Sequence, residues 1–514
     1  MAAFIAGSTA PPAVPSSHSQ SRTEPRFTTF HENVFPDENN PIQYLITIHW
    51  PIMRRLRAPS RLGEAFLSRH AALRAPRDLS APPVKGVISN PTTSRIQQQG
   101  LASILPIGIR HASTSTSPTE LRRTSLYDVH VAHGGKMVPF GGFEMPVQYS
   151  SLGVSASHIF TRTHASLFDV GHMVQHKFSG PGATAFLEKI TPASITELGT
   201  HRSGLSTLLW PLTGGIVDDT IITRLAPELF YVVTNAGCRE KDLQYFAEQL
   251  EDFKKSGGDK LEWTVLDGWG LVALQGPLSE NILQESLAEP TKTNLKELYF
   301  GESKFITFNL AGGGITSPLL VSRGGYTGED GFEISIPPNE TVPFTEALLK
   351  RGRTDRLQLA GLGARDSLRL EAGMCLYGHD LDDSTTPVEA SLSWVIGKNR
   401  RSECGFHGSE VILRQLTPKS KGGIGVDRRR VGLIVEGAPA REGAEIVNEQ
   451  GEKIGTITSG CPSPTLGKNI AMGYIKDGFH KSGTDVEVVI RGRKRKAKVA
   501  KMPFVPSKYW KAPA

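Results

Sequence analysis

The chain contains little cysteine, and its cysteines are not arranged for a metal site or a disulfide framework. Four occur in 514 residues, without a CxxC pair and without histidines at zinc-ligand spacing: Cys238, Cys375, Cys404 and Cys461. Cysteines spaced so widely are typical of free thiols in a reducing compartment. A zinc module and a secreted disulfide scaffold are therefore not indicated.

Long apolar runs are also missing. No stretch approaches the ~18 consecutive apolar residues that a membrane-spanning helix needs. The most apolar stretch near the N-terminus, residues 42–53, is short and is interrupted by His49 and Pro51. Membrane insertion is therefore not expected.

Several common catalytic signatures do not occur. The sequence has no GxSxG or HExxH motif, and no GxGxxG motif follows a predicted strand. The segment LGKN at 466–469 resembles the end of a phosphate-binding loop. However, Pro462 stands where the leading glycine belongs, and Asn469 replaces the serine or threonine. These absences argue against a serine acyltransferase, a zinc hydrolase and a nucleotide-cradling protein.

The positive charge of the chain is concentrated near its N-terminus. The formal net charge is +7, and residues 1–112 hold 12 Lys and Arg against 6 Asp and Glu, which leaves the remainder at +1. A nearly neutral body argues against a partner with a nucleic-acid backbone. The basic run at 491–498 is interpreted as a solvated strand edge. Electrostatic guidance of an acidic partner is the alternative.

Residues 1–120 do not have the pattern of a folded domain. Residues 53–80 combine seven arginines with two acids and place apolar side chains at roughly helical spacing. An arginine-rich, acid-poor amphipathic leader is typical of a mitochondrial transit peptide, and processing is expected near residues 110–113. Four acids precede Met53, which is unusual for such a leader, so translation is expected to begin at Met53. A disordered basic tail is the alternative interpretation.

The length of the chain exceeds one ordinary hydrophobic core, so several domains are expected. Strands and helices alternate through residues 121–396, and a basic, glycine-rich stretch at 397–427 is a predicted linker with one short helix. Residues 428–514 have an all-β pattern with hairpin turns, for which a small antiparallel barrel is the economical fold. The predicted class is α+β with a C-terminal β-barrel.

The stretch 214–237 holds the most informative pattern. It predicts a β-hairpin with a turn at 226–228. Asp218 and Asp219 lie inside the first strand, and neighbouring strand residues point to opposite faces, so only one of them can face a given cavity. From these residues alone, an exposed edge strand with alternating polar side chains stays open beside an active-site carboxylate.

A second acid lies in the middle of a later predicted strand. Glu333 stands between Phe332 and Ile334, directly after a glycine-rich connection at 324–331. Such a connection lets the backbone approach a ligand closely, although alone it is weak evidence. Residues 360–372 predict a helix.

Motifs spread over nearly all of residues 121–512 resemble a single family. They include SLFDVGHM, GGIVDDTIIT, YVVTNAGCREKD, GYTGEDGFEIS, ARDSLRLEAGMCLYGHDLD, TSGCPSPTLGKNIAMGYI and KMPFVPSKYW. The family is that of the folate-binding aminomethyltransferases, the T proteins of the glycine cleavage system. The resemblance implies a cloverleaf of three domains around a central tetrahydrofolate site.

The resemblance also implies an activity. An aminomethyl group attached by sulfur to the lipoyl arm of the H protein gives its methylene to tetrahydrofolate, and ammonia leaves. Tetrahydrofolate is then a co-substrate, and no metal, flavin or nucleotide is expected. The lipoylated H protein is the implied partner, the other glycine cleavage components act indirectly, and a monomer in the mitochondrial matrix is expected.

The resemblance assigns roles to particular residues. Asp219 matches the catalytic aspartate, and Asp218, which faces the other way, is expected to matter far less. Six further positions match folate-contacting residues of the family: Glu333, Arg365, Tyr509, Tyr231, Val233 and Asn235. Glu333 matches the glutamate that accepts adjacent pterin N–H groups. Whether Arg365 meets the ring or the carboxylate tail stays open.

Two other classes of protein share the implied fold. Folate-binding iron–sulfur cluster assembly factors carry a KGCYxGQE-like motif after the arginine helix, whereas this chain has AGMCLYGHDLD there. The folate domain of a demethylating flavoprotein dehydrogenase comes with a flavin-binding half, for which this chain shows no counterpart. The aminomethyltransferase interpretation is therefore favoured over both.

Overall fold

The computed structural model describes residues 120–513. The predicted transit peptide, its processing site and the expected start at Met53 lie outside the described residues. Among the helices of the described part, none is both long enough and apolar enough to cross a membrane.

Helices and strands alternate up to residue 416, and after a short 3₁₀ turn at Lys419–Lys421 the described chain forms strands. Residues 120–275 contain α1 (Tyr127–Ala132), β1 (Gly135–Phe140), β2 (Phe143–Tyr149), α2 (Val154–Thr163), β3 (Ala165–Asp169), β4 (Val174–Ser179), α3 (Ala183–Ile190), β5 (Arg202–Leu209), β6 (Ile216–Ala226), β7 (Leu229–Thr234), α4 (Arg239–Lys255), β8 (Glu262–Val265) and β9 (Gly270–Gln275). Residues 276–416 contain α5 (Ser279–Ser286), β10 (Ser303–Ile306), β11 (Leu319–Arg323), β12 (Gly331–Ile336), α6 (Thr341–Arg356), β13 (Leu357–Leu359), α7 (Leu362–Glu371), α8 (Arg400–Glu403) and α9 (Ser409–Leu416). The C-terminal strands are β14 (Arg428–Val435), β15 (Glu445–Val447), β16 (Lys453–Ser463), β17 (Lys468–Lys476), β18 (Asp485–Ile490) and β19 (Arg493–Ala500).

A five-stranded antiparallel sheet has the order β5-β6-β7-β4-β8. The predicted hairpin is present, with β6 and β7 joined at Pro227 and Glu228. Because β6 is paired on both sides, the interpretation of its aspartates as polar residues of an exposed edge is wrong. Helices α3 and α4 cover one face of the sheet, where Phe178, Phe186 and Phe246 pack in the core.

A six-stranded sheet has the order β10-β11-β12-β9-β3-β13, in which only the β3–β13 pair is parallel. Helices α5 and α6 cover one of its faces, and Phe344 of α6 lies in the core there. On the other face, Leu271 and Leu320 pack in one cluster with Tyr231 and Val233 of the five-stranded sheet. The two sheets therefore face each other across a shared interior.

The C-terminal strands form a closed barrel in the order β14-β17-β16-β15-β18-β19. The basic run lies on β19, which pairs with β14 on one side and β18 on the other. Within the run, residues 493–498 pair with β18, but only Ala497 and Lys498 also pair with β14. Arg493, Lys494 and Lys496 are exposed, which agrees with the interpretation of the run as a solvated strand edge. The turn between β18 and β19 has positive φ angles at Arg491 and Gly492, as a two-residue hairpin turn requires.

The stretch 397–427 is packed against the rest of the chain. Phe406, Ile412 and Val426 lie in a buried cluster with Leu209 of β5. Leu370 of α7 packs with Cys461 and Ile470 of the barrel. The two facing sheets and the barrel are therefore three lobes of one body. The predicted mixed α+β fold with a C-terminal barrel is confirmed.

A buried polar cluster centred on Glu371 joins the barrel to the other lobes. Its Oε2 accepts hydrogen bonds from Arg162 Nη2 of α2 and from Thr465 Oγ1 of the barrel, both at 2.7 Å. Ser463 of β16 donates to Oε1 at 2.5 Å. Burial alone would raise the pKa of Glu371, but hydrogen bonds from His158, Ser463 and Thr465 outweigh it and lower the pKa to about 2. The ionised carboxylate therefore ties three segments together.

We expect the stability that Glu371 contributes to depend on pH. Its pKa is about 2 in the folded chain, against an ordinary value of 4.5. The contribution is therefore fully present above about pH 4.5 and is lost as the pH falls towards about 2. At neutral pH, the free energy of unfolding of the unaltered protein should exceed that of the Glu371→Gln variant by roughly 3 kcal/mol.

Urea unfolding of both proteins across this pH range measures the difference. Glu251→Gln is the control, because Glu251 is paired with Lys255 on an exposed surface and such pairs contribute little. A difference that stays constant from neutral to acid pH would contradict the expectation.

Candidate active site

Asp219 lies on the face of the five-stranded sheet that is turned towards the six-stranded sheet. On β6 it is opposite Thr207 of β5, and it is half-buried. The pairing of β5 with β6 shifts between Leu208 and Leu209, immediately before the two aspartates. Bulges of this kind often re-aim side chains beside active sites. The shift helps to set which aspartate faces the space between the sheets.

A single amide connects the two aspartates. Asn235, which follows β7, donates from Nδ2 to Asp219 Oδ1 at 2.9 Å and to Asp218 Oδ1 at 2.8 Å. Its backbone N–H donates to Asp218 Oδ2 at 2.8 Å. Asp218 is fully buried on the helix-covered face of the sheet. Its carboxylate is thus bonded within the core and is not solvated.

The surroundings of Asp219 favour its protonated form. Burial, followed by the neighbouring charge of Asp218, raises the pKa of Asp219 to about 7, although the hydrogen bond from Asn235 opposes the shift. Burial also raises the pKa of Asp218. A carboxyl group with a pKa near neutrality can accept or release a proton at physiological pH.

Glu333 reaches the same interior from the facing sheet. It lies in the middle of β12, paired with Ser322 of β11 and Ala273 of β9. Ser335, two residues along the strand and therefore on the same face, donates to Gln175 Oε1 of the five-stranded sheet at 2.6 Å. Burial raises the pKa of Glu333, and the charge of Arg365 opposes this. A carboxyl group thus stands on each of the two facing sheets.

Tyr231 and Val233 form the apolar floor near Asp219. Both are buried, with 6% and 8% of their surface exposed, in the cluster between the sheets. The Tyr231 hydroxyl donates to Gln175 Oε1 at 2.8 Å. The strand alternation places these two residues on the same face as Asn235.

Arg365 approaches from α7, which covers the space between the sheets. Its guanidinium carbon lies 4.7 Å from the centroid of the Tyr326 ring. Its Nη1 is buried and has no hydrogen-bond partner among residues 120–513. Burial lowers the pKa of Arg365, while Glu333 and Tyr326 act in the opposite direction. The site therefore holds a cation with an unused donor.

Tyr509 belongs to the segment that follows the barrel and returns to the glycine-rich connection. Its ring stacks on Phe300 with 4.2 Å between centroids, and its hydroxyl is buried without a partner in the described part of the chain. The backbone N–H of Lys508 donates to the Gly328 carbonyl at 2.8 Å. The returning segment therefore contacts the same connection that carries Tyr326.

The structure brings most of the sequence-predicted residues into one region. Asp219, Asn235, Tyr231 and Val233 share one sheet face, Glu333 lies on the facing sheet, and Arg365 is close enough to influence its pKa. Tyr509 stands apart at the rim, where its contacts are with Phe300 and the surrounding loop.

Sequence reasoning missed three residues of this region: His172, Gln175 and Tyr326. His172 is buried, and burial lowers its pKa to about 4, with Arg365 adding to the effect. The imidazole is therefore neutral at physiological pH, and its Nδ1 has no partner within residues 120–513. His172 and Tyr326 both stand inside motifs that carried the family resemblance, which is the signal that could have identified them.

Comparison with known proteins agrees with the fold. A family model described as the GCVT N-terminal domain matches residues 126–400, and one described as the glycine cleavage T-protein C-terminal barrel domain matches residues 428–506. A crystal structure of glycine cleavage system aminomethyltransferase T from Bartonella henselae matches with a TM-score of 0.67 and 37% identity, covering 76% of this chain and 100% of that one. The chain therefore belongs to the glycine cleavage T-protein family.

Within that family, the chain is similar to proteins named as mitochondrial aminomethyltransferases. The protein from Pisum sativum is 48% identical over 76% of this chain and 91% of its own length. The Homo sapiens protein is 47% identical over the same shares of the two chains. A probable aminomethyltransferase from Schizosaccharomyces pombe is 48% identical over 80% of this chain and 99% of its own length. The resemblance seen in the sequence is confirmed.

We expect the Asp219 carboxylate to reduce the stability of the ligand-free protein. A carboxyl group whose pKa rises from 3.8 to about 7 on folding makes the folded state progressively less stable as the pH rises between those values. Asp219→Asn removes this ionisation. The variant should gain stability over the parent, on the order of 2 kcal/mol above about pH 7, and little near pH 4.

Thermal unfolding of the two ligand-free proteins at several pH values checks this expectation. The exposed Asp259 provides the control, because Asp259→Asn should leave the stability nearly unchanged at each pH. If the parent protein is more stable than Asp219→Asn at neutral pH, the expectation is contradicted, and hydrogen bonds compensate the carboxylate for its loss of hydration.

Proposed function

We propose that the chain is an aminomethyltransferase of the glycine cleavage system. It transfers the methylene of an S-aminomethyl group on the dihydrolipoyl arm of the H protein to tetrahydrofolate. The products are 5,10-methylenetetrahydrofolate, ammonia and dihydrolipoyl H protein. The observation that carries the proposal is the placement of Asp219 and Glu333 on facing sheets, in a chain 48% identical to an enzyme named for this activity.

The reaction replaces two bonds of the methylene carbon by two others. Its bonds to the lipoyl sulfur and to the departing nitrogen break, and bonds to N5 and N10 of the folate form. The two folate N–H protons end on ammonia and on the lipoyl thiol. Positive charge develops on nitrogen along this path, so a fixed carboxylate in a partly dry site lowers the barrier.

Asp219 is the group we assign to this role. It is half-buried, it is oriented by Asn235, and its pKa of about 7 suits a group that moves protons near neutral pH. The cationic substrate nitrogen would favour the ionised form of the carboxyl group when it is bound. Electrostatic stabilisation and proton steering then come from the same side chain.

The donors and acceptors of the site fit tetrahydrofolate. Buried polar groups without partners cost about 1–3 kcal/mol each, and Arg365 Nη1 and the Tyr509 hydroxyl are two such groups in residues 120–513. Carbonyl or carboxylate oxygens of a folate would satisfy them. The Glu333 carboxylate suits two adjacent pterin N–H groups. Arg365 meets either the ring or the tail, and Tyr231, Val233 and Asn235 line the pocket.

The partners follow from the activity. The lipoylated H protein is the partner that presents the substrate, and the other glycine cleavage components act through it. The relatives from pea and human are named as mitochondrial proteins, and we place this chain in the mitochondrial matrix as a monomer. Tetrahydrofolate is the co-substrate of this assignment, which uses no metal, flavin or nucleotide.

Asp219→Asn tests the catalytic assignment. We expect the variant to fold and to bind tetrahydrofolate, yet to lose about 10²-fold or more of its turnover, because an amide cannot stabilise the developing cation as a carboxylate does. Ammonia release from aminomethylated, lipoylated H protein is the measurement, with and without tetrahydrofolate. Near-normal turnover of the variant would refute the role of Asp219.

The same assay separates this function from its rival. Folate-dependent release of ammonia by the unaltered chain supports the aminomethyltransferase. The absence of folate-dependent release would favour an iron–sulfur cluster assembly factor of the same fold.

Glu333→Gln tests the folate-binding assignment. A glutamine keeps the shape of the side chain but exchanges one acceptor oxygen for a donor, so it loses a charge-assisted pair of hydrogen bonds. We expect the dissociation constant for tetrahydrofolate to rise about 10- to 100-fold. Calorimetric titration measures it, with the exposed Glu346→Gln as the control. Unchanged affinity in Glu333→Gln would place the pterin elsewhere.

A further inference from the structure

A second group of titratable side chains lies directly behind the site. Asp218, Cys238 and Asp242 are all buried, and one ligand atom from each lies within 4.8 Å of the others. Asp242 is in the first turn of α4, and neither aspartate has any exposed surface. The assignments made above for Asp219 and the folate residues do not use Cys238 or Asp242.

The two carboxyl groups differ in their hydrogen bonds. Asp218 accepts two N–H groups of Asn235, one on each oxygen, both at 2.8 Å. Neither oxygen of Asp242 has a hydrogen-bond partner of good geometry among residues 120–513, and the nearby Thr234 hydroxyl only partly opposes the rise in the pKa of Asp242. Asp218 therefore has the environment of an ionised carboxylate, and Asp242 does not.

The nearest cation does not neutralise the pair. Lys241 precedes Asp242, but its Nζ donates to the Tyr377 hydroxyl at 2.6 Å and to Asp383 at 3.0 Å. Two carboxylates side by side in an apolar interior repel each other, so one of them retains a proton. Burial and the charge of Asp218 raise the pKa of Asp242 to about 10, in agreement with the hydrogen-bond pattern.

We propose that Asp242 is protonated and donates to Asp218, and that this pair acts as a positioning group for Asp219. The connection runs through Asn235, whose Nδ2 is shared between Asp218 Oδ1 and Asp219 Oδ1. With Asp218 held as an acceptor, the amide has one orientation, and its second hydrogen is directed at Asp219. The proposal rests on the proposed role of Asp219.

The alternative occupant of this group is a metal ion. Two carboxylates and a thiolate could hold a divalent cation, and all three ligands would then be ionised. The proton and the cation make opposite demands on Asp242. A proton bridge requires a donor at this position, which an amide also supplies, whereas a cation requires a negatively charged ligand.

Matched substitutions at the two aspartates separate these possibilities. Asp242→Asn keeps an N–H donor towards Asp218, and Asp242→Ala removes it. Asp218→Asn places an NH₂ group or a single oxygen against the two Asn235 donors. We expect Asp242→Ala and Asp218→Asn to lower kcat by about 10²-fold, with a change of less than about threefold in KM for tetrahydrofolate. For Asp218, this proposal replaces the sequence-based expectation that it matters far less than Asp219. Asp242→Asn should restore most of the kcat lost in Asp242→Ala.

Thermal unfolding identifies any variant that does not fold. If Asp218→Asn does not fold, the comparison of kcat between Asp242→Asn and Asp242→Ala still tests the positioning role. An Asp242→Asn variant as impaired as Asp242→Ala overturns the proposal, as does a loss of activity after treatment of the unaltered protein with a chelator. Asp219→Asn measured in parallel distinguishes the two levels. If Asp219→Asn retains turnover, the proposed catalytic role of Asp219 fails. If Asp219→Asn is inactive but Asp242→Asn does not recover the kcat lost in Asp242→Ala, only the positioning role of the Asp218–Asp242 pair is rejected.

Discussion

A carboxyl group between two packed sheets loses water, and hydrogen bonds to it recover only part of that loss. The site depends on the donor that this chain supplies. The donor is the Asn235 amide, at the point where β7 turns into α4. The same amide bonds Asp218 on the opposite face of the sheet. The reactive face and the core face are therefore coupled through one side chain, and the burial of Asp218 is a condition for the orientation of Asp219.

The facing sheet and the covering helix complete the environment. Gln175 accepts hydrogen bonds from both Tyr231 and Ser335, so it fixes the distance between the two sheets at the level of Glu333. Helix α7 contributes Arg365 near its start and Glu371 at its end, where the polar cluster anchors the barrel. One helix thus links the cation of the site to the joint between lobes. A disturbance of the joint would displace Arg365 as well.

The hairpin, the barrel and the two-residue turns could be predicted from the sequence, because each depends on short-range patterns of β-branched residues, glycine and proline. The pairing partners of each strand could not, since they are set by distant segments. The charges of the basic run on β19 predict solvated strand residues, but the closure of the barrel through Ala497 and Lys498 onto β14 is invisible in the local pattern. In the same way, alternation separated Asp218 from Asp219, but the burial of Asp218 depends on α4 lying over it. His172 and Tyr326 gave no periodic signal of their own.

The segment after the barrel returns to the glycine-rich connection at 324–331. This return affects the order in which parts of the site form during translation. Lys508 and Tyr509 contact Gly328 and Phe300, residues that leave the ribosome long before them. The facing sheets are complete in sequence once β13 has been made, but the rim beside Tyr326 is not. A nascent chain that carries both sheets therefore still lacks the part of the rim that Tyr509 forms. Under the proposed assignment of Tyr509 to tetrahydrofolate binding, full affinity for the co-substrate arises only when translation has passed the barrel.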